Sequence, residues 1–442
     1  MKSSKRKICQ VLALTISSIG ASAAMAAGPL VQGGGSSLVA PTIGAVGKTG
    51  TEIGLFGTSE ATFTYFSVGS GAGQNAFLSN APSFFGTGVT GTVDFANSDA
   101  ALSTAQVTNY NNTGLGGTAD GPLIQIPYIV TAITIPVVNA PAVTSTTTPQ
   151  TTPNQAHSIS LNDNDLCGIF SGKITNWNAV INPETGSVYT TTSKPITVVY
   201  RADSSGTSEL LTRHLHAVCT TANTATGVTF VDSLTFANTT AFPSGVPSNF
   251  IGATGSGGVH TTLVGYSSAG TPAAVAYLSP DYANQFLAPS SSSASNPLAV
   301  ASLLNATNGK YYSPLYTNAT IALGSISAPS GATAAGNPNL WVPVAGETGY
   351  TALANPASGY PVSGTSQIIV SQCYLSSTVS KAVVDFLTDH YTNASFASLV
   401  NGNGFDTVPS SFKTAIVADF LSNTSGFGLD IGDSGTCSGV GR

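Results

Sequence analysis

Short runs rich in β-branched and aromatic residues alternate with amphipathic stretches along the chain, and this alternation confines it to an α/β architecture. Strands are expected at Thr62–Val68, Ile124–Val138, Ile196–Tyr200, Ala273–Leu278 and Gln367–Val370. Helices are expected at Gln74–Leu78, Leu161–Phe170, Ser208–Val218, Thr378–Tyr391 and Pro409–Ser422. In the fourth of these, Phe386, Leu387 and His390 fall on the same side as Val383, as an amphipathic helix requires. At 442 residues the chain is long enough to bury a large core in two domains. Three low-complexity inserts, Pro141–Pro153, Ala288–Pro297 and Ser325–Pro338, read as solvated surface loops without chemistry. No internal repeat is visible at a period of about 20 to 50 residues, so a solenoid or propeller is not supported.

Residues 1–26 carry a basic start, an apolar stretch from Ile8 to Ile19 and Ala-x-Ala cleavage options ending at Ala23 or Ala26. This is the pattern of a secretory signal peptide, with an apolar stretch too short to span a bilayer. Cys9 stands at the start of that stretch, away from the cleavage point where a lipoprotein would need it. The mature protein is expected in the periplasm or secreted, with no membrane span. Only 7% of the residues are charged, against about 25% in ordinary soluble proteins. Removing Lys2, Lys5, Arg6 and Lys7 with the leader leaves nine basic against 19 acidic residues, a net charge near −10. That balance argues against a nucleic-acid partner.

Four segments share one design, in which Gly and small hydroxyl residues immediately precede an expected helix: Gly33–Leu38, Val68–Gly73, Asp94–Asp99 and Tyr200–Ser208. Amide N–H groups at a helix start have no internal partner and point outward with the positive end of the helix dipole, so Gly there lets an anion approach closely. Ser and Thr add hydroxyl donors, although a Ser N-cap explains any single segment equally well. Arg201 stands out because the mature chain has only three arginines, and a guanidinium fork matches two oxygens of a tetrahedral anion. Its other reading is a surface ion pair with Asp203 or Glu209.

Some glycine-rich segments do not carry a site. Gly47-Lys48-Thr49 fails as a P-loop because Thr42 stands where the pattern needs Gly. Gly252–Gly258 reads as a flexible turn more readily than as a ligand loop. The five histidines are scattered without a metal pattern, and His214 and His216 point to different faces of one helix. No metal and no cofactor is expected. No GxSxG nucleophile elbow occurs, and Ser205 has no nearby His to act as its base.

The set GGGSSLVAP, VGSGAG, VDFANSDA, CGIFSGKITNW and YRADSSGTSELLTRHL resembles the phosphate-binding proteins of bacterial phosphate ABC transporters, and more closely their DING branch. The resemblance runs from Gly33 to about Phe420 in the family's order. Two departures are visible: Leu30-Val31-Gln32 replaces the Asp-Ile-Asn that names the DING group, and the mature chain is longer. The resemblance implies a two-domain periplasmic binding-protein fold of the class II type, each domain a mixed α/β sheet, with a ligand cleft between them. The expected organisation is residues 27–130 and 365–442 in a discontinuous domain one and 131–364 in domain two, with crossings near Ile126–Pro136 and Gly359–Gln367. Of the three pairings open to Cys167, Cys219, Cys373 and Cys437, the sequential one, Cys167–Cys219 with Cys373–Cys437, keeps each bond inside one of these segments.

Carried over motif by motif, the resemblance implies inorganic phosphate as ligand. Ser37 would offer hydroxyl and amide, Leu38 its amide in a position where the family usually has an aromatic residue, and Ser70 hydroxyl and amide. Arg201 would grip the anion with a fork held by Asp203, while Ser205, Gly206 and Thr207 donate from a helix start. Asp99 would accept a hydrogen bond from the ligand. A carboxylate facing unprotonated oxygen is repulsive, so Asp99 would select phosphate over sulfate; the alternative for Asp99 is a helix N-cap. The implied protein is a monomer that captures and releases its ligand, with a phosphate ABC permease as a candidate partner. The rival readings are an exported phosphatase using the same cleft and an adhesion protein acting through its Ser/Thr-rich inserts.

Overall fold

In a computed structural model, which describes residues 28–324 and 326–442, the chain forms two mixed sheets. The leader expected over residues 1–26 lies outside the described residues. In chain order the strands are β1 (Leu30–Gly35), β2 (Thr62–Ser67), β3 (Phe95–Ser98), β4 (Leu123–Ala132), β5 (Ile135–Val138), β6 (Ser160–Leu161), β7 (Ile196–Arg201), β8 (Phe250–Ala253), β9 (Ala273–Ala276), β10 (Val300–Asn305), β11 (Lys310–Tyr312), β12 (Ser363–Ser371) and β13 (Asp406–Thr407). The first sheet has the order β13-β4-β12-β3-β1-β2; the second has β11-β10-β5-β9-β7-β8, with β6 beside β10. Each contains a parallel trio, β2-β1-β3 and β8-β7-β9, and it is the C-terminal ends of these trios that carry the candidate motifs.

The single strand expected over Ile124–Val138 is two strands in different sheets. Between them Ile133 N donates to Val362 O (2.8 Å) and Thr134 bridges Leu278, so the chain changes sheet there. Every residue of β4 and β5 is buried, and an unbroken apolar run hides such a switch from periodicity. The chain comes back along β12, antiparallel to β4 with Ser363 opposite Ala132. The two crossings thus run side by side. Although residues 316–341 follow the second sheet in sequence, their helices Tyr316–Leu323 and Pro338–Trp341 pack on β4, and Trp341 meets Phe420 of the C-terminal segment at 5.2 Å between ring centroids.

The helices follow their apolar spacing. Ser377–Thr392 buries Val383, Phe386, Leu387 and His390 on one side, and His390 bonds Glu52 (2.7 Å) and Tyr128 O (2.8 Å). The expected helix from Leu161 begins instead at Asp163, because Leu161 pairs in β6 and Asn162 caps the helix with Asp165 in a reciprocal box. Burial pushes the Asp165 carboxyl up to about 7, against the pull of amide hydrogen bonds from Asn162 and Ile181. A carboxyl raised on folding is still protonated where the unfolded chain has already ionised, so stability falls as pH rises from about 4 through about 7. Asp165→Asn cannot ionise, and is expected to be roughly 3 kcal/mol more favourable at pH 8 than at pH 4. Urea unfolding midpoints at the two pH values measure this; equal shifts at both would contradict it.

Both sequential disulfides are present, Cys167–Cys219 and Cys373–Cys437, closing loops with sequence separations of 52 and 64. Each contributes on the order of 4 kcal/mol on the chain-entropy account. The inserts are not simply solvated. The Thr151 hydroxyl donates to Val300 O, Ser291 Oγ donates to Asp281 O (2.6 Å), and Ala294 and Ala335 are buried. Small hydroxyl residues satisfy backbone groups at these strand and loop ends, which lets a polar composition sit inside. Among the described residues no helix is long and apolar enough to cross a membrane.

Candidate functional site

The β1 motif turns at Gly35, whose φ of 134° and close approach to Asn97 O, at 2.1 Å from an added Cβ, exclude a side chain. Ser36, Ser37 and Leu38 follow in the turn before the short helix Ala40–Ile43. Leu38 N donates to Ser36 Oγ (3.1 Å), and its side chain is fully buried in the core. After β2, Ser70 opens the helix Ser70–Ser79, and its hydroxyl accepts from Asp99 N (3.2 Å). After β7, Ser205 caps the helix Gly206–Val218 by accepting from Ser208 N (3.3 Å).

Asp99 is placed differently from the helix-start pattern. It follows the last residue of β3, and the next helix begins only at Thr104, capped by Ser103. Its carboxylate therefore caps nothing and is engaged by side chains. Oδ1 accepts from Ser36 Oγ (2.6 Å) and Ser366 Oγ (2.8 Å), and Oδ2 has a longer contact with Thr207 Oγ1 (3.4 Å). Burial pushes the Asp99 carboxyl up, while the Ser36 and Ser366 hydrogen bonds, the Arg201 charge and the Thr207 hydroxyl pull it down.

Arg201 ends β7 with its backbone N held by Tyr277 OH (2.9 Å). Its side chain forms a two-pronged pair with Asp203, Nε to Oδ1 at 2.7 Å and Nη2 to Oδ2 at 2.5 Å. With Arg201 2% and Asp203 15% exposed, this is not a surface pair. Asp203 is itself held by Gly255 N (2.9 Å). Against the upward push of partial burial, the Arg201 hydrogen bonds and charge hold the Asp203 carboxyl below its ordinary range. Glu209, the other candidate partner, lies by Arg213 at 3.7 Å. Arg201 Nη1 reaches Ser256 Oγ at 3.3 Å.

The two sheets' loops meet at these residues. Ser37 Oγ lies 3.0 Å from Ser256 Oγ and accepts from Ser256 N (3.0 Å); Gly71 N donates to Ser204 O (3.2 Å). Gly206 abuts Asp99 so closely that an added Cβ would lie 2.5 Å from the Asp99 Cβ. Ser37, Ser70, Asp99, Arg201, Ser205 and Thr207 are all buried. The arrangement offers hydroxyl and amide donors from both sides, one guanidinium and one acceptor carboxylate, which suits a small oxyanion that carries a proton.

Sequence reasoning missed Ser36, Ser256 and Ser366. Gly252–Gly258 is no flexible turn: it ends β8 and begins the helix Gly255–Ala269, repeating the strand-Gly-helix design of the other motifs, and this signal was legible. Ser366 lies in the hydroxyl-rich start of β12, where only Gln367–Val370 reads as a strand, yet all of β12 is buried. Among the described residues no group of His, Cys, Asp or Glu is arranged to hold a metal ion.

The PBP superfamily domain model matches residues 20–338. A curated phosphate-binding protein from an unknown prokaryotic organism is 37% identical over 380 residues, covering 86% of this chain and 93% of that protein. Alkaline phosphatase L of Pseudomonas aeruginosa is 34% identical over 386 residues, covering 86% and 88%. Among solved structures, the high-affinity periplasmic phosphate-binding protein PfluDING, bound with phosphate at pH 8.5, superposes with a TM-score of 0.72 at 33% identity, covering 93% of this chain and 99% of that one. The ancestral soluble variant of the Human Phosphate Binding Protein gives 0.74 at 34%, with the same coverage. The chain belongs to the PBP superfamily, on the branch of the DING phosphate-binding proteins.

Proposed function

We propose that this protein is an exported binding protein that captures inorganic phosphate between its two sheets and releases it unchanged. The observation that carries this reading is the convergence, in one buried place, of donors from both sheets on either side of a single acceptor, Asp99. In this reading Ser37, Leu38 and Ser70 donate from the first lobe, and Ser205, Gly206 and Thr207 from the second. Arg201 grips the anion through the guanidinium hydrogens that Asp203 does not occupy. The lobes would be residues 27–130 with 365–442, and residues 131–364, except that the helices within residues 316–341 pack on the first lobe's sheet. All contacts form together only when the lobes close, so ligand favours the closed state. The protein would work as a periplasmic or secreted monomer, with a phosphate permease as the receiver of its ligand.

The relatives named alkaline phosphatase L raise ester hydrolysis as an alternative. A phosphate ester needs room for its organic part, and contacts such as Gly206 against Asp99 close the cleft tightly around the donors, which supports free phosphate as the ligand. Calorimetry with phosphate and sulfate on the mature protein tests the reading. Phosphate is expected to bind and sulfate to bind far more weakly. In Asp99→Asn the carboxamide can donate to a fully deprotonated oxygen, so the preference should shrink about 10- to 100-fold. Equal binding of both anions by the unaltered protein would end this reading.

A further inference from the structure

Asp99 has two carboxylate oxygens in unequal surroundings. Oδ1 takes two short hydrogen bonds, from Ser36 in the turn after β1 and from Ser366 in β12, while Oδ2 has only the 3.4 Å contact with Thr207. Ser366 comes from a strand that is antiparallel to both β3 and β4. The pairing of β12 with β4 shifts register between Ser366 and Gln367, and such a bulge re-aims a side chain that a regular strand would point elsewhere. On the other flank of the bulge, Asn97 Nδ2 donates to Gln367 O (3.3 Å), and Gln367 pairs with Ser98 in β3. The irregularity is thus bonded in place on the strand that leads directly to Asp99.

We infer that Ser366 is a positioning residue for specificity: its hydroxyl occupies Oδ1 and keeps Asp99 ionised with Oδ2 turned to the ligand, so that the site demands a protonated oxyanion. The inference rests on the phosphate reading above. A neutral Asp99 would carry a proton of its own, donate it, and welcome sulfate. Arg201 is the charged group that favours the ionised form of Asp99, and the charge of Asp99 in turn adds to burial in pushing up the neighbouring Tyr65, Glu209 and Asp281. With one cation set against the cost of burial, the two hydroxyl donors carry much of the task of keeping Asp99 charged. The Ser366 hydrogen bond comes from the strand running beside the crossing strand β4, so a change of lobe geometry at the crossing would also move the group that orients Asp99.

The test compares phosphate and sulfate affinities by calorimetry from about pH 5 to 9 for the unaltered protein, Ser366→Ala and Ser366→Thr. Ser366→Ala removes one hydroxyl, and the Ser36 bond to Oδ1 stays. The phosphate-to-sulfate preference should fall about threefold to tenfold near neutral pH, and the pH below which preference is lost should move upward by about one. Ser366→Thr restores a hydroxyl at the same place and should bring the profile back. A purely structural role would lower both affinities together and leave the profile where it was. Superimposable pH profiles for Ser366→Ala and the unaltered protein, with normal phosphate preference, overturn the inference alone. Failure of the unaltered protein to prefer phosphate overturns the functional reading, and the inference with it.

Discussion

Arg201→Ala is expected to weaken phosphate binding about 1,000-fold or more, the largest loss of any single side chain in the site. Two effects act in the same direction. The ligand loses its one guanidinium contact, and Asp203, whose two oxygens now accept from Nε and Nη2, is left facing the anion with backbone amides, chiefly that of Gly255, as partners. Arg201→Lys keeps the charge but cannot grip Asp203 with a fork and reach the ligand as well, so a loss of about 10- to 100-fold is expected. The loss should lie in the dissociation rate. A chain with a formal net charge of −6 does not draw anions in from afar, so removing one cation from a closed cleft changes retention more than encounter. Stopped-flow kinetics with calorimetry separate the two. Near-normal retention in Arg201→Ala would remove Arg201 from the site.

The readability of this site depended on whether a residue's role is written in its own neighbourhood. Ser70 and Ser205 were legible because a strand, a Gly or Ser and a helix follow one another in sequence, and the backbone alone makes that junction a cluster of outward-pointing donors. Arg201 and Asp203 were legible because they stand two residues apart. Ser366 was not, because its partner Asp99 lies 267 residues away and its strand opens with Ser-Gly-Thr-Ser, a composition that local rules assign to a loop. The same limit explains the sheet switch. β4 and β5 form one apolar run, and what separates them is hydrogen bonding to Val362 and Leu278, residues supplied by distant parts of the chain. Hydroxyl-rich stretches were the recurrent source of error, in the inserts and in β12 alike. With so few charges, this chain uses Ser, Thr and Asn to satisfy buried backbone, so polarity does not report exposure.

Gly206→Ala should separate folding from closure. Gly206 is the first residue of its helix, with a φ that any residue can adopt, so Ala there favours the helix and restricts the unfolded chain, a gain of about 0.4–1 kcal/mol. The three nearest atoms to the added methyl all lie in the first lobe: the Asp99 Cβ at 2.5 Å and the Asp99 and Ala100 backbone N atoms at 2.7 Å. Backbone at the end of a buried strand does not yield to such an approach, so the lobes must stay apart at this point. The variant should melt at the same temperature as the unaltered protein or slightly above it without ligand, yet bind phosphate about 100-fold more weakly. In solution scattering it should fail to contract when phosphate is added. Gly71→Ala provides the comparison. Its added Cβ would meet Ser204 Oγ at 2.0 Å, which can rotate away, and Ser204 Cβ at 2.7 Å, which can move only with its exposed loop, so a smaller loss of about tenfold is expected. If Gly206→Ala bound phosphate normally and contracted with it, the contact between Gly206 and Asp99 would not belong to the ligand-bound state, and the donors of the two lobes would have to reach the anion by another arrangement.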